Sequence, residues 1–497
     1  MGRQSERSSS ATAITTADDL LVLRYRSYAC RIRKMLYLGG VLQDRTHPVV
    51  QSYVTSLLVI FMCLNQVICV LNFCRDHFNN LLIVFKCLGL ATSFITPFLM
   101  VFLAKRVLHI CRRRCRLAVH GRRNPRNRLD DCSKVLIENL FLESCCFLVK
   151  REKLLELHNT LNQIFEQELA RDERTKKTML VSLYASDRSS YALVFMLGFT
   201  VGFHILSGIM NVIIQPLIFH STTVPKSKWP YKFPWSSNSD TFFYLLFLYQ
   251  SFTCWWIVFT IGAVDSLFGF YAFQISSILR AMSARLMNPR PDEVFSVVLK
   301  SCVQTHHRLQ KSASLLEDVY GLIILRMILA NAVLMCTLIF EASTRGLFSK
   351  VTHTVTCRNV VTMTMLIRAR SHNNADNNNF YLDICAVWEQ FTDTAIDQLC
   401  FSVVCIAMKL LQTFIYAWYG SLITSASEHF REGIYFGEWP DSKLDCHVRA
   451  DIVMMMLQKP MAITALKVSS VNVNMFTSIL NTTLSYYFLL QSLEESK

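Results

Sequence analysis

Charge is what this 497-residue chain has too little of. Asp, Glu, Lys and Arg make up 18% of it, where about 25% is usual for a soluble domain. With 52% hydrophobic residues and a mean hydropathy of +0.30, that deficit argues for a protein of the bilayer. No secretory leader is expected either. Met1 to Asp19 is rich in Ser and Thr and has no apolar core, so the first residues are expected to stay in the cytoplasm. There is no Gly-rich phosphate loop, no Gly-x-Ser-x-Gly and no His-Glu-x-x-His, so no enzymatic chemistry gains a foothold and no cofactor is expected. The 18 cysteines form no spaced framework. Cys63, Cys69, Cys87, Cys254, Cys336, Cys400 and Cys405 sit in apolar runs and suit small buried hydrophobes better than disulfides. His109, Cys111, Cys115 and His120 are loosely spaced within a cationic run, which argues against zinc. His306 and His307, being adjacent, fall on different helix faces and read as surface or packing residues.

What the chain has in quantity is apolar segments long enough to cross a membrane. About 20 helical residues at 1.5 Å each span the hydrocarbon core, and seven candidates follow. They are Tyr53 to Phe73, Leu81 to Leu103, Tyr191 to Ile214, Thr241 to about Ile275, Val319 to Phe340, Asp397 to Thr424, and Val471 to Leu493. A Pro/Ser/Trp-rich loop, Gln215 to Asp240, separates the third from the fourth. No internal repeat of the kind seen in secondary transporters is present.

The net charge of +15 looks like a nucleic-acid signal, but the distribution of the charges points elsewhere. With the N-terminus inside, the cytoplasmic segments Met1–Gln51, Lys105–Ser190, Leu279–Glu317 and Ser425–Lys467 hold 38 Lys and Arg, and the outer segments 10. That asymmetry sets the N-terminus inside and, after seven crossings, the C-terminus outside. A G-protein-coupled receptor has the opposite orientation, and neither Asp-Arg-Tyr after the third span nor Asn-Pro-x-x-Tyr in the seventh is found. No nucleic-acid partner is expected; membrane lipids are.

The expected organisation is a cytoplasmic N-terminal segment over 1–52, five transmembrane helices with cytoplasmic extensions over 53–341, a polar extracellular insert over 342–390, and the last two helices over 391–493. Lys153 to Glu168 and Val294 to Leu316 carry apolar residues at helical spacing. They read as amphipathic helices building an intracellular domain, with a helix lying on anionic lipid as the alternative. The basic stretch 105–147 and the Asn-rich stretch 344–389 have the composition of disordered insertions.

Asp265, in the inner half of the fourth span, is costly in a membrane and calls for a structural partner. Phe85, Phe199, Phe203, Met210, Tyr244 and Phe401 gather on the second, third, fourth and sixth spans. They are either lipid-facing belts or the walls of an apolar pocket with Ser207, Asn211 or Tyr244 as polar handles. The last span is not a plain anchor. Asn474, Thr477, Ser478, Asn481, Thr482, Ser485 and Gln491 interrupt it, with Thr477, Asn481 and Ser485 four apart on one face. Such a stripe serves either packing against other helices or a pore. The sequon Asn481-Thr482-Thr483 lies inside this span and is expected to be unused.

The last quarter of the chain carries a resemblance. Leu411-Gln412-Thr413-Phe414-Ile415-Tyr416, Gly420, Thr424, Ser427, Glu432-Gly433-Ile434-Tyr435 and Glu438-Trp439 come first. They are followed by Gln458-Lys459-Pro460, then by Met475-Phe476-Thr477-Ser478-Ile479-Leu480-Asn481 and Leu484-Ser485-Tyr486-Tyr487-Phe488-Leu489-Leu490. With Asp265-Ser266-Leu267-Phe268 and Thr305-His306-His307, the set resembles the insect odorant receptor family. The sister gustatory receptors close with Thr-Tyr, five apolar residues and Gln-Phe, whereas four residues separate Tyr486 from Gln491 here. The family's connections are far shorter than 105–147 and 344–389.

The resemblance implies an all-α, seven-helix protein of the plasma membrane of sensory neurons. It implies a tuning subunit of a ligand-gated, non-selective cation channel, in a heterotetramer with a shared coreceptor, opened by a small volatile odorant. The alternatives are a gustatory-type channel of the same superfamily or a G-protein-coupled receptor. The ligand site expected is Phe85, Phe203, Ser207, Met210, Tyr244 and Phe401. The pore and gate expected are Thr482, Ser485, Tyr486, Leu489 and Leu493, where a ring of Leu side chains closes a narrow pore by dewetting.

Overall fold

The computed structural model describes residues 19–36, 151–209, 240–290, 293–344, 394–437, 439 and 445–495, with scattered positions between 61 and 76. The second expected span, most of the first, and the stretches 105–147 and 345–389 lie outside the described residues.

The chain is built from helices. In order they are α1 (residues 19–36), α2 (Arg151–Leu169), α3 (Glu173–Leu180), α4 (Leu183–Ile209), α5 (Asp240–Met287), α6 (Phe295–Thr344), α7 (Thr394–Tyr435), α8 (Cys446–Leu457) and α9 (Val473–Glu495). Between α8 and α9 sits a small antiparallel hairpin of β1 (Thr464–Ala465) and β2 (Ser469–Ser470). Four helices among the described residues are long and apolar enough to cross a membrane: Glu173–Leu206, Tyr244–Met287, Phe295–Phe340 and Cys400–Tyr435. They overlap the third to sixth expected spans, and residues 210–214 of the third lie outside the described residues. α5 is 48 residues long and α6 is 50, so at 1.5 Å per residue each runs about 70 Å, more than twice the hydrocarbon core. The surplus continues past the lipid, as the amphipathic stretch Val294 to Leu316 suggested.

That surplus makes the core. From Ala263 to Leu286 nearly every residue of α5 is buried, so this half of the helix is a central post with no solvent face. Around it pack Tyr25, Tyr28, Ile32 and Leu36 of α1, Leu157, Leu161, Ile164 and Phe165 of α2, and Val298, Leu299, Cys302 and Leu309 of α6. Period-3.6 apolar faces on α1, α2 and α6 converge on one post, which is the packing an amphipathic helix requires. Tyr25 stacks on Phe165 with centroids 4.7 Å apart. The sequence marked the N-terminal segment only as cytoplasmic; its residues 19–36 form a helix bonded into the core. Tyr28 Oη is 2.8 Å from Ser190 Oγ, and Arg24 and Arg31 both pair with Asp187.

The approach to the last helix is not helical. Leu466 and Lys467 have φ of 51° and 61°, the left-handed pair that a tight hairpin turn needs and that non-Gly residues adopt at a cost. The hairpin is held from both sides. Thr464 bonds Glu317, Met461 N–H donates to Ser427 Oγ at 2.8 Å, and Val473 N–H donates to Ser421 Oγ at 3.0 Å. Gly420 sits against the Val471 carbonyl so closely that no Cβ fits there.

Candidate functional site

α9 has two faces. Val471, just ahead of it, and Met475, Ile479 and Thr483 are spaced by four and buried, and α9 packs on α6 and α7. Phe476 meets Phe414 edge-on at 5.5 Å. On the other side run two parallel rows, Asn474-Ser478-Thr482-Tyr486 and Thr477-Asn481-Ser485-Leu489, and all eight residues are exposed. The hydroxyls of this face bond no other helix of the chain among the described residues. Thr477 and Ser478 donate to the Asn474 carbonyl, Thr482 to Ser478 at 2.8 Å and Ser485 to Asn481 at 2.9 Å. Tyr486 and Leu489 are 58% and 53% exposed. Leu493 lies in α9, one turn beyond Leu489.

The expected ligand residues are spread over the outer halves of α4, α5 and α7. Phe203 stacks on Phe199 within α4, at 6.4 Å. Ser207 belongs to the same helix. Phe401 of α7 packs against the His204 ring at 5.0 Å and joins a small apolar cluster with Leu334, Leu338 and Cys405. Tyr244 of α5 is 38% exposed. Phe85 and Met210 lie outside the described residues. Phe401 thus meets α4 at His204, the residue after Phe203, which the sequence reading passed over. Gln250 and Ser402, also passed over, are buried at the same end of the bundle. A single Gln or Ser in an apolar run carries no mark in the sequence of which way it points.

Further in, Asp265 has the structural partners its position demanded. It accepts from Tyr416 Oη at 2.6 Å and from Gln412 Nε2 at 2.7 Å. Asn331 of α6 extends the network, with Nδ2 3.0 Å from Thr413 Oγ1 and 3.4 Å from Gln412 Oε1. One turn on, Tyr419 Oη lies 2.7 Å from Ser189 Oγ. Gln412, Thr413, Tyr416 and Tyr419 share a face of α7 at spacings of three and four. One side of α7 is therefore hydrogen-bonded to α4, α5 and α6 together.

Long helices running past the lipid into one packed domain, a polar network tying them together and a terminal helix with an outward polar face define a multi-pass helical membrane protein. The family described as 7tm Odorant receptor matches residues 135–366 and 378–484, and the chain belongs to that family. It is 31% identical over 86 residues to Odorant receptor Or2 of Anopheles gambiae, a match covering 17% of this chain and 23% of that relative's length. Its fold is similar to the insect olfactory receptor OR5 from Machilis hrabei, with a TM-score of 0.60 at 13% identity over 94% of this chain and 98% of that one. It is also similar to the same receptor in complex with eugenol, with a TM-score of 0.57 over 94% and 99% of the two chains. That likeness shows the seven-helix fold.

Proposed function

We propose that the chain is a tuning-type odorant receptor of the sensory-neuron plasma membrane. It is a subunit of a ligand-gated, non-selective cation channel that opens on binding a small volatile molecule and assembles with the coreceptor as a heterotetramer. The observation that carries this reading is the outward face of α9. Two four-residue rows of mostly polar side chains are exposed while the opposite row is buried in the chain's own bundle. In a bilayer such a face needs other helices or water, and copies of α9 around a central axis supply both. Thr482 and Ser485 would then support a hydrated path, and Leu489 and Leu493 would close it. The similar receptor solved with eugenol supports a small organic ligand. Whole-cell recording against an odorant panel, with and without the coreceptor, tests the reading. Odorant-evoked cation currents that depend on coexpression are expected. Surface-expressed receptor that yields only a G-protein response, with no current, overturns it.

A further inference from the structure

Buried polar groups in a helix bundle are almost always paired. In the outer half of this bundle the hydroxyls mostly pair with their own helix. Ser251 Oγ donates to the Phe247 carbonyl and Thr253 Oγ1 to the Tyr249 carbonyl, both at 2.8 Å, and Thr337 Oγ1 donates to Val333 at 3.1 Å. Gln250 of α5 and Ser402 of α7 depart from this pattern. They are 7% and 1% exposed, and neither Gln250 Nε2 nor Ser402 Oγ has a hydrogen-bond partner among the described residues.

The two stand at one level of the bundle. α5 and α7 run parallel in fixed register. Asp265 meets Gln412 and Tyr416, and Ser283 bonds the His429 carbonyl, pairs 147, 151 and 146 residues apart. The same offset sets Gln250 opposite residues of about 396 to 401, within roughly a turn of Ser402. α4 runs antiparallel beside α5, with Gly198 against Trp255 and Gly208 against Phe247, so His204 falls at the level of Gln250. His204 in turn packs on Phe401, the residue before Ser402, at 5.0 Å. Phe401, Leu334 and Leu338 make this level apolar. The other buried atoms on α5 without a hydrogen-bond partner include Trp256 Nε1, an indole N–H in the outer half, and Ser266 Oγ, Gln274 Oε1 and Ser277 Oγ in the closely packed inner core.

We propose that Gln250 and Ser402 are the hydrogen-bonding, selectivity-setting pair of the odorant site, favouring volatiles with an acceptor oxygen over hydrocarbons of the same size. The inference rests on the reading of the chain as an odorant receptor. Gln250 Nε2–H is a donor only, and Ser402 Oγ–H can donate beside it. A ketone, aldehyde or ester carbonyl accepts from both and restores the bonds that burial withholds. A hydrocarbon of equal length displaces water from the two groups and leaves them unpaired, the arrangement that penalises a ligand most.

Matched ketone–alkane pairs test this: 2-octanone with octane, and 2-decanone with decane, applied to the full-length receptor coexpressed with the coreceptor. The ketone of each pair should be about fivefold more potent or better, since one net hydrogen bond of about 1 kcal/mol is a factor of that size. Gln250→Leu and Ser402→Ala should each shrink the ratio, and the double variant should bring it near unity while the alkane response is kept or improved. A merely structural role would lower both responses together. Alkanes as potent as ketones on the natural receptor, or a ratio unchanged in both variants at normal surface level, overturns the inference. If Gln250→Leu does not reach the surface, Ser402→Ala and the natural receptor's ratio decide. If no compound evokes current, thermal stabilisation of the purified receptor by each pair decides. Ketone-selective stabilisation keeps the site and removes the channel reading, and equal or absent stabilisation removes the site.

Discussion

Asp265 shows how far a single residue can be read. A carboxylate in the inner half of a membrane helix demands donors, and that demand is visible in the sequence. Its partners were visible too, in retrospect, because Gln412, Thr413 and Tyr416 repeat at three and four within an otherwise apolar helix. Gln412→Leu should leave the Asp265 carboxylate with Tyr416 alone and Asn331 with Thr413 alone. The expected cost is about 1 to 3 kcal/mol, read as a lower unfolding temperature of the detergent-purified receptor. A variant as stable as the natural chain would show the network carries no stability. His158 was not legible at all, since its partners come from elsewhere in the fold. Its Nδ1 lies 3.2 Å from Tyr271 Oη and its Nε2 2.9 Å from Asn162 Nδ2. Burial first, and then the Arg33 charge, lowers its pKa below the usual 6.5. The sign follows from linkage. Above pH 6.5 both folded and unfolded rings are neutral and the group is silent. Below it the unfolded chain takes up the proton more readily, so stability is lost as pH falls through the His range. Unfolding temperatures at pH 7.5 and 5.5 should differ less in His158→Gln than in the natural receptor, and an equal pH response would remove His158 from the account.

Elements were legible where apolar length declares them, and less so where continuity or a turn decides. The described residues of the third to sixth expected spans lie on helices, yet α5 and α6 each join a span and a cytoplasmic stretch without a break, and periodicity does not show where such a helix leaves the lipid. α1 escaped notice because its buried face includes only Tyr25, Tyr28, Ile32 and Leu36, set among Arg24, Arg26, Ser27, Arg31, Arg33 and Lys34, in a segment marked only as cytoplasmic. The hairpin before α9 escaped because its turn is made by Leu466 and Lys467, which carry none of the Gly or Asn signal of a left-handed turn. This connection is tied to α7 by short contacts. Ser421 and Ser427 of α7 hold its two ends, and Gly420 admits the Val471 carbonyl. A movement of α7 would then reach the first turn of α9 through these contacts. Gly420→Val inserts a branched side chain into a filled space, at a typical cost of about 1 to 3 kcal/mol, and displaces the start of α9. Loss or a large right-shift of odorant-evoked current at measurable surface expression is expected. A normal dose–response curve would mean the contact does not couple α7 to α9.

For the whole molecule, the charge asymmetry and the exposed face of α9 have to be satisfied together. Cytoplasmic segments rich in Lys and Arg set the inner end, and the long inner halves of α5, α6 and α7 then build the packed domain on that side. α9 leaves this domain and runs outward, its polar rows on the face its own chain leaves uncovered. Which subunits meet that face was not legible, because one chain holds only one side of an interface. On the proposed function, a central pore lined by four such faces needs an apolar constriction to stay shut, and Leu489 and Leu493 stand four apart in the helix, with Leu489 53% exposed. On that reading an odorant would open the channel only to the extent that it binds the open arrangement more tightly than the closed one. The gate can then be weakened without touching the ligand site. Leu489→Ser replaces an apolar ring member with a hydroxyl, lets water into the closed constriction and should raise current without odorant. Partner subunits keep their own apolar residues, so the leak should be partial and should grow when the equivalent partner position is changed as well. The half-maximal odorant concentration should fall at the same time, because less of the ligand's differential affinity is needed to open the pore. If Leu489→Ser and Leu493→Ser both leave basal current, odorant sensitivity and ion permeability unchanged at normal expression, α9 does not form the gate.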